Sequence, residues 1–347
     1  MHGPAPGAGK RRRGHQAHSQ ASRGVTQIIA FEIFELLVFP GIAFMVLMGF
    51  LFEWVDRKFF ARIQSRYGPL YTGPVGILQP FADFVKLLSK EDMVPRACDR
   101  GLFTFVPILY ATLPLTALFL IPIASEAGLV EFDGDLILLI FIFGMTTIAV
   151  FLAGWSSMSR FSILGSVRSV LQMLSYEIPL GLVLIGPAIA TKSLSIGEIV
   201  RWQASNGAWF LWLQPIGFAI LVICLLAELE LIPFDIPEAE TEIVAGWRTE
   251  FSGRKLAMFR LGRDLEIVLA ASVVASIYLG GAQAIGPIPP AFSFILKALG
   301  ALLIFSFTRA LFARLRIDQM ITGMWKFLLP LAIAQVALLQ IELGAFG

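Results

Sequence analysis

This sequence predicts an all-α polytopic membrane protein of about eight transmembrane helices, with an amphipathic interfacial helix and a long acidic cytoplasmic loop. Three observations predict it. Of 347 residues, 57% are hydrophobic and 15% charged, with a mean hydropathy of +0.77, a balance that a water-facing surface does not carry. The apolar residues gather into runs long enough to cross a hydrocarbon core, which takes about 20 helical residues each. The runs exceed a barrel strand in length and lack its alternation, so helices are the expected way to pair the backbone.

Residues 1–24, rich in Gly, Pro, Ser, His and Arg and carrying Lys10-Arg11-Arg12-Arg13, have too little apolar content to fold and read as a disordered basic tail. Residues 25–347 are expected to form a single transmembrane domain. Its first apolar run, roughly 28–55, is too long for a signal-peptide core, and no cleavable signal is expected. A first cytoplasmic loop follows at 56–102. Within it Phe81, Phe84, Val85 and Leu88 recur at helical spacing while Asp83, Lys86 and Lys90 fall elsewhere on the wheel, which predicts a helix lying in the interface. Such a helix also serves as a plain surface anchor in many proteins, so its pattern alone does not fix a role. The later runs fall at roughly 103–123, 135–155, 167–190, 210–230, 265–286, 290–312 and 325–345.

With the N-terminus outside, 19 of the 27 Lys and Arg residues lie in segments 56–102, 156–168, 231–264 and 309–326. That bias favours these segments as cytoplasmic, although the tail argues the other way, and predicts a multi-pass protein of the cell (inner or plasma) membrane. Six of the seven tryptophans, Trp54, Trp155, Trp202, Trp209, Trp212 and Trp325, fall at or near expected span ends, where an indole prefers the headgroup level.

Missing residues exclude several chemistries. The only histidines, His2, His15 and His18, lie in the tail, so no imidazole pair is available to hold a haem in the membrane. Cys98 and Cys224 are isolated and cannot bind an iron–sulfur cluster by themselves. No Gly-rich phosphate loop opens a helix after a strand. No metal site, catalytic residue or nucleic-acid partner is expected of this chain, and any redox centre belongs to a partner.

Two constellations put charge at membrane depth. In the acidic loop, 228–264, Glu228, Glu230, Asp235, Glu238, Glu240 and Glu242 begin while the preceding apolar run is still unfinished. Ionised groups there are costly and tend to mark ion paths, although acids on a loop also serve as a solvated face or pair with a basic partner. In Gly165-Ser166-Val-Arg168…Gln172…Ser175-Tyr176-Glu177…Gly181, Arg168 and Gln172 share a helical face that Ser175 continues, and Glu177 lies deeper. Glu177 is an ion-handling candidate, the bland alternative being a polar contact that locks helix packing.

These stretches, with Arg57…Arg62…Arg66, Gly68-Pro69, Gln79-Pro80, Asp83 and Lys86 of the first loop and Arg314-Leu-Arg316-Ile-Asp318-Gln319…Trp325-Lys326-Phe-Leu-Leu-Pro330, resemble in order, from about residue 30 onward, a family of membrane subunits of proton-translocating NADH:quinone oxidoreductase, complex I, known as the H subunit in bacteria and subunit 1 in mitochondria. The resemblance implies an eight-helix subunit at the junction of the hydrophilic and membrane arms that helps form the quinone cavity and an acidic path. It further implies that Arg57, Arg62, Arg66, Gln79, Asp83 and Lys86 shape the junction and cavity entrance. Glu228, Asp235, Glu238, Glu240 and Glu242 would line the acidic funnel, and Glu177 would continue it, while Glu230 joins these ion-coupling candidates as an additional carboxylate of this chain. Arg314, Arg316 and Asp318 would be docking residues. The implied partners are hydrophilic-arm iron–sulfur and large subunits, antiporter-like membrane subunits and the lipid bilayer. The chain would bind no cofactor alone, with quinone at an interface.

Three departures stand out. Where the quinone-reducing branch usually reads Glu-Thr-Asn-Arg-x-Pro-Phe-Asp, this chain has Glu228-Leu-Glu230-Leu231-Ile-Pro-Phe-Asp235. Where that branch tends to have Ala-Glu-Tyr, it has Gly262-Arg263-Asp264, and Asp56 stands for the usual glutamate before Arg57. The acidic loop thereby looks closer to the related subunit of ferredoxin-linked membrane-bound hydrogenases and sulfur-reducing complexes. That leaves electron donor, terminal acceptor and the choice of proton or sodium open. A stand-alone secondary ion transporter is a further alternative, although the paired broken helices of such a protein are not evident.

Overall fold

Long stretches of Leu, Ile, Val, Phe and Ala leave the backbone few ways to pair its amides away from water. The computed structural model, which describes residues 32–284 and 286–346, is accordingly built of helices and connecting turns. The basic tail expected at 1–24 lies outside the described residues. Among those described, six helices are long and apolar enough to cross a membrane: Glu32–Ile63, Arg100–Leu120, Asp135–Ser156, Arg160–Thr191, Pro290–Leu311 and Ile317–Ile341. We label the helices α1 (Ile42–Ile63), α2 (Gln79–Ser89), α3 (Arg100–Leu120), α4 (Asp135–Ser156), α5 (Arg160–Thr191), α6 (Ile196–Asn206), α7 (Pro215–Glu228), α8 (Gly253–Val273), α9 (Pro290–Leu311), α10 (Ile317–Gly323) and α11 (Leu329–Phe346).

Two expected runs differ in kind from the six. The one expected at 210–230 becomes a single turn, Phe210–Leu213, and then α7, an apolar helix of 14 residues that stops at Glu228. The one expected at 265–286 begins earlier, because α8 starts at Gly253 and runs on through a π turn, Val274–Tyr278. Its first 14 residues carry Arg254, Lys255, Arg260, Arg263, Asp264 and Glu266, too many charges for a hydropathy window, yet Lys255, Asp264 and Glu266 are buried.

The connecting segments make two separate sets of contacts. Lys255 bonds Asp92 at 2.5 Å and Ser252 accepts from the Met93 amide, joining the first loop to the start of α8. Arg168 bonds Glu242, Arg314 bonds Asp235 and the Leu315 amide donates to the Pro233 carbonyl, joining the other three basic segments to one another. In the second group, Asp135 accepts from the Ile196 amide at 2.7 Å, Arg201 pairs with Glu131, and Gln283 donates to the Val200 carbonyl.

The seventh tryptophan behaves unlike the other six. Trp247, from the acidic loop, is 1% exposed and packs with Phe103, Val106 and Tyr110 of α3, Ala149 and Val150 of α4, and Phe259 of α8. Its ring meets Phe259 edge-on at 4.9 Å. Burying such a side chain stabilises by about 1.5–3 kcal/mol, so the loop is pinned to the bundle by an aromatic plug. Two glycines permit this approach. A Cβ at Gly165 of α5 would sit 2.6 Å from the Trp247 amide nitrogen, and Gly246, at φ +56°, would drive one into the Pro237 carbonyl oxygen.

In α2 the buried positions are Pro80 and Leu87, and the Phe81 and Phe84 rings lie 5.9 and 5.7 Å from Phe50. Phe81, Val85 and Leu88 of the expected apolar stripe remain exposed on the chain.

Candidate ion-coupling site

The acidic loop leaves α7 at Glu228 and packs against α3, α4, α5 and α8. Glu230 is buried and accepts from Ser169 of α5 at 2.5 Å and from Trp247 Nε1 at 3.3 Å. Arg263 of α8 reaches the Glu238 carboxylate at 3.3 Å, the Glu230 carboxylate at 3.8 Å and the Glu230 carbonyl at 3.5 Å. Arg248 also pairs with Glu238. Arg314 bonds Asp235 at 2.7 Å and Arg168 bonds Glu242 at 2.6 Å. Burial raises the proton affinity of Asp235 above the ordinary carboxylate value, with the hydrogen bond and charge of Arg314 opposing it. Glu240 opens a short helical turn, Glu240–Ile243.

A second layer of acids has tyrosines for partners. Tyr176 of α5 donates to Glu228 and lies 3.5 Å from Thr147 of α4. Tyr110 of α3 donates to Glu266 of α8 at 2.7 Å, both residues being buried. Gln172 donates to the Ala227 carbonyl at 2.7 Å, while its own amide oxygen is buried without a partner. The face that α5 turns to α7 and the loop is thus Ser169, Gln172 and Tyr176. Ser175, expected on that face, bonds its own helix at the Leu171 carbonyl. Glu177 is half-buried beside α4, where a Cβ on Gly144 would lie 2.9 Å from its carboxylate.

In the first loop, Arg57 pairs with Glu53 one turn back and with Asp83 of α2 at 2.8 Å, while Gln79 donates to Asp83 at 2.9 Å. Burial works against the charged form of Asp83, but the bonds from Arg57 and Gln79 outweigh it and hold the carboxyl below its ordinary value. Arg62 lies over the Tyr67 ring at 5.6 Å, and Arg62, Arg66 and Lys86 are exposed. Asp56 takes a different route and binds Arg309 of α9 at 2.9 Å. Arg316 and Asp318 are exposed and 3.7 Å apart, and with Arg168, Glu242 and Arg314 they line a cavity of about 250 Å³.

The structure therefore gathers Glu228, Glu230, Asp235 and Glu238 between the end of α7 and the middle turns of α5 and α8, with Arg57, Gln79 and Asp83 in a separate cluster. Sequence reasoning gave no role to Tyr110, Ser169 and Glu266, and none to Tyr176 although it stood in the polar constellation of 165–181. Glu266 could have been found as a carboxylate inside an otherwise apolar stretch, whereas the tyrosines carry no pattern of their own.

Comparison with known proteins gives a consistent set of relatives. A family model described as NADH dehydrogenase matches residues 34–340. The H subunit of NADH-quinone oxidoreductase from Dehalococcoides mccartyi is 40% identical over 304 residues, 87% of this chain and 84% of that protein. Its counterpart in Carboxydothermus hydrogenoformans is 39% identical over 308 residues, 87% of this chain and 86% of its own length. That of Bacillus cytotoxicus is 40% identical over 314 residues, 89% of this chain and 92% of its own length.

Proposed function

From a chain that belongs to the H-subunit family of NADH-quinone oxidoreductase, complex I, we propose a junction subunit that couples electron transfer in a neighbouring arm to ion translocation through its acidic loop. The observation that carries this reading is the fold of that loop onto the bundle. Glu230 and Glu238 are held by groups from α5 and α8, and Glu228 continues inward to Tyr176. Carboxylates this close titrate together, so a change of charge or loop position at one is felt by the rest. Arginine partners favour ionised acids, whereas a tyrosine hydroxyl can donate to a carboxylate and relay a proton.

In this reading the Arg57–Asp83 cluster and the exposed Arg62, Arg66 and Lys86 face the hydrophilic arm and the quinone cavity. The Arg314, Arg316 and Asp318 corner docks a partner subunit, antiporter-like subunits receive the ion, and the membrane is the cell membrane. A second reading, a subunit of a ferredoxin-linked hydrogenase or sulfur-reducing complex, is favoured by Arg263, whose side chain fills the base of the loop at a departure from the quinone-reducing branch.

The test is Glu177→Gln and Glu240→Gln in the assembled particle, reading ion translocation and electron-transfer turnover together. Intact assembly with impaired coupled turnover is the expected result. Normal activity and pumping in both variants would overturn the proposal.

A further inference from the structure

Gly262, Arg263 and Asp264 are consecutive on α8 and serve three different elements. A Cβ on Gly262 would lie 2.5 Å from the Tyr110 ring, so glycine lets α8 close on α3. Asp264 packs against Gly49 of α1, 3.5 Å from where a Cβ would stand there. Arg263 turns to the acidic loop, and its side chain is 16% exposed. What it meets is an awkward residue. Glu230 is buried with its backbone in the left-handed region at φ +47°, so a glutamate there bears both backbone strain and the cost of a buried charge. Of the side chains of ordinary residues, asparagine tolerates this conformation best. Both the carbonyl and the carboxylate of Glu230 lie within 4 Å of Arg263.

We propose that Arg263 is a positioning residue, the fixed cation that holds the acidic loop on α8 and makes a buried, left-handed glutamate at position 230 tolerable. The two residues form one unit, and the loss of either is felt through the other. This deepens the function proposed above and rests on it only in supposing that the loop's charge matters to turnover. The charged and titratable neighbours of the unit are Glu238 and Arg248 beside it, Glu228 at the end of α7, Tyr110 of α3, Tyr176 of α5 and Glu266 one turn along α8. Removing the guanidinium leaves Glu230 with its hydrogen bonds from Ser169 and Trp247 and Glu238 with Arg248, so the two carboxylates lose the one cation they share and proton uptake at the unit is favoured.

The experiment compares Arg263→Gln, Arg263→Lys, Glu230→Asn and the double variant Arg263→Gln/Glu230→Asn in the full assembled particle. It reads the yield of assembled particle and the pH profile of uncoupled electron transfer. Arg263→Gln should lower the yield and move the acid limb of the profile upward by about one to three pH units, the shift that a lost neighbouring charge gives a carboxyl. Arg263→Lys should fall between, since it keeps charge without the fork. Adding Glu230→Asn should restore both readouts towards the parent. A double variant as impaired as Arg263→Gln, or a profile that Arg263→Gln leaves in place, would overturn the proposal. Should Arg263→Gln fail to assemble, assembly of the double variant supports the proposal and its failure counts against it. If the rescue holds while Glu177→Gln and Glu240→Gln pump normally, the coupling proposal falls and the positioning role stands.

Discussion

In the outer part of the acidic site Asp235, Glu238 and Glu242 each face a guanidinium, from Arg314, from Arg248 and Arg263, and from Arg168. In the inner part Glu228 and Glu266 face phenols, from Tyr176 and Tyr110. The outer acids belong to one loop, but their arginines come from α5, α8, the end of that loop and the segment after α9, so the pairs staple four parts of the chain together. A guanidinium cannot give up its proton under physiological conditions, and the pairs it makes hold charge in position. A phenol both donates and accepts, and its partner is free to gain or lose a proton. Under the proposed function the two layers would do separate work: the arginine layer would fix the loop, and the tyrosine layer would carry the exchangeable proton.

The largest expected break is in the inner layer. Glu228→Gln should leave the arginine pairs intact yet lower ion translocation per electron by about a hundredfold, the lower end of what a positioned proton-transfer group contributes. Reconstituted vesicles with a pH-sensitive dye would measure it, and a ratio near that of the parent would merge the two layers into one.

Next is packing beneath the outer layer. Gly165→Ala should push the Gly246–Trp247 backbone away from α5 and cost about 1–3 kcal/mol, as overpacking does, seen as a lower melting temperature of the assembled particle. Arg314→Gln should cost less, about 1 kcal/mol or below, because this pair is partly open to water.

The smallest effect separates the outer layer from the first loop by pH. Asp83, with its proton affinity lowered, contributes stability that is present above the ordinary carboxylate pKa and is lost only as pH falls through its depressed value. Asp235, with its proton affinity raised, has the opposite sign, and its contribution is present below the ordinary value and fades as pH rises through the raised one. On acidification residues 79–89 should therefore loosen before residues 229–240, because protonating Asp83 removes a stabilising contribution whereas protonating Asp235 relieves a buried charge. Hydrogen exchange followed across residues 229–240 and 79–89 would detect the order, and simultaneous loosening would count against it.

Much of this was legible in the residues. Hydropathy reveals long apolar helices because their side chains must face lipid or one another. The acidic loop declared itself through unusual chemistry at a span end. What hydropathy hides is the part of α8 before residue 265, since Lys255 and Asp264 look like surface residues until partners from the first loop and α1 cover them. Trp247 lies in a loop full of charge, and only the glycines at 165 and 246 disclose that its backbone can come close enough to the bundle to bury it. Tyr110 and Tyr176 sit among apolar neighbours where a phenol carries no periodic signature, so the tyrosine–carboxylate pairs became visible only through the contacts of the hydroxyls.

The most direct measurement is the redox-induced infrared difference spectrum of the assembled particle in the carboxylic C=O stretching region. A signal that disappears in Glu228→Gln and persists in Asp235→Asn is the predicted result, because the inner acid changes protonation while the arginine-paired one does not. A spectrum unchanged by Glu228→Gln, or abolished by Asp235→Asn alone, would contradict the account.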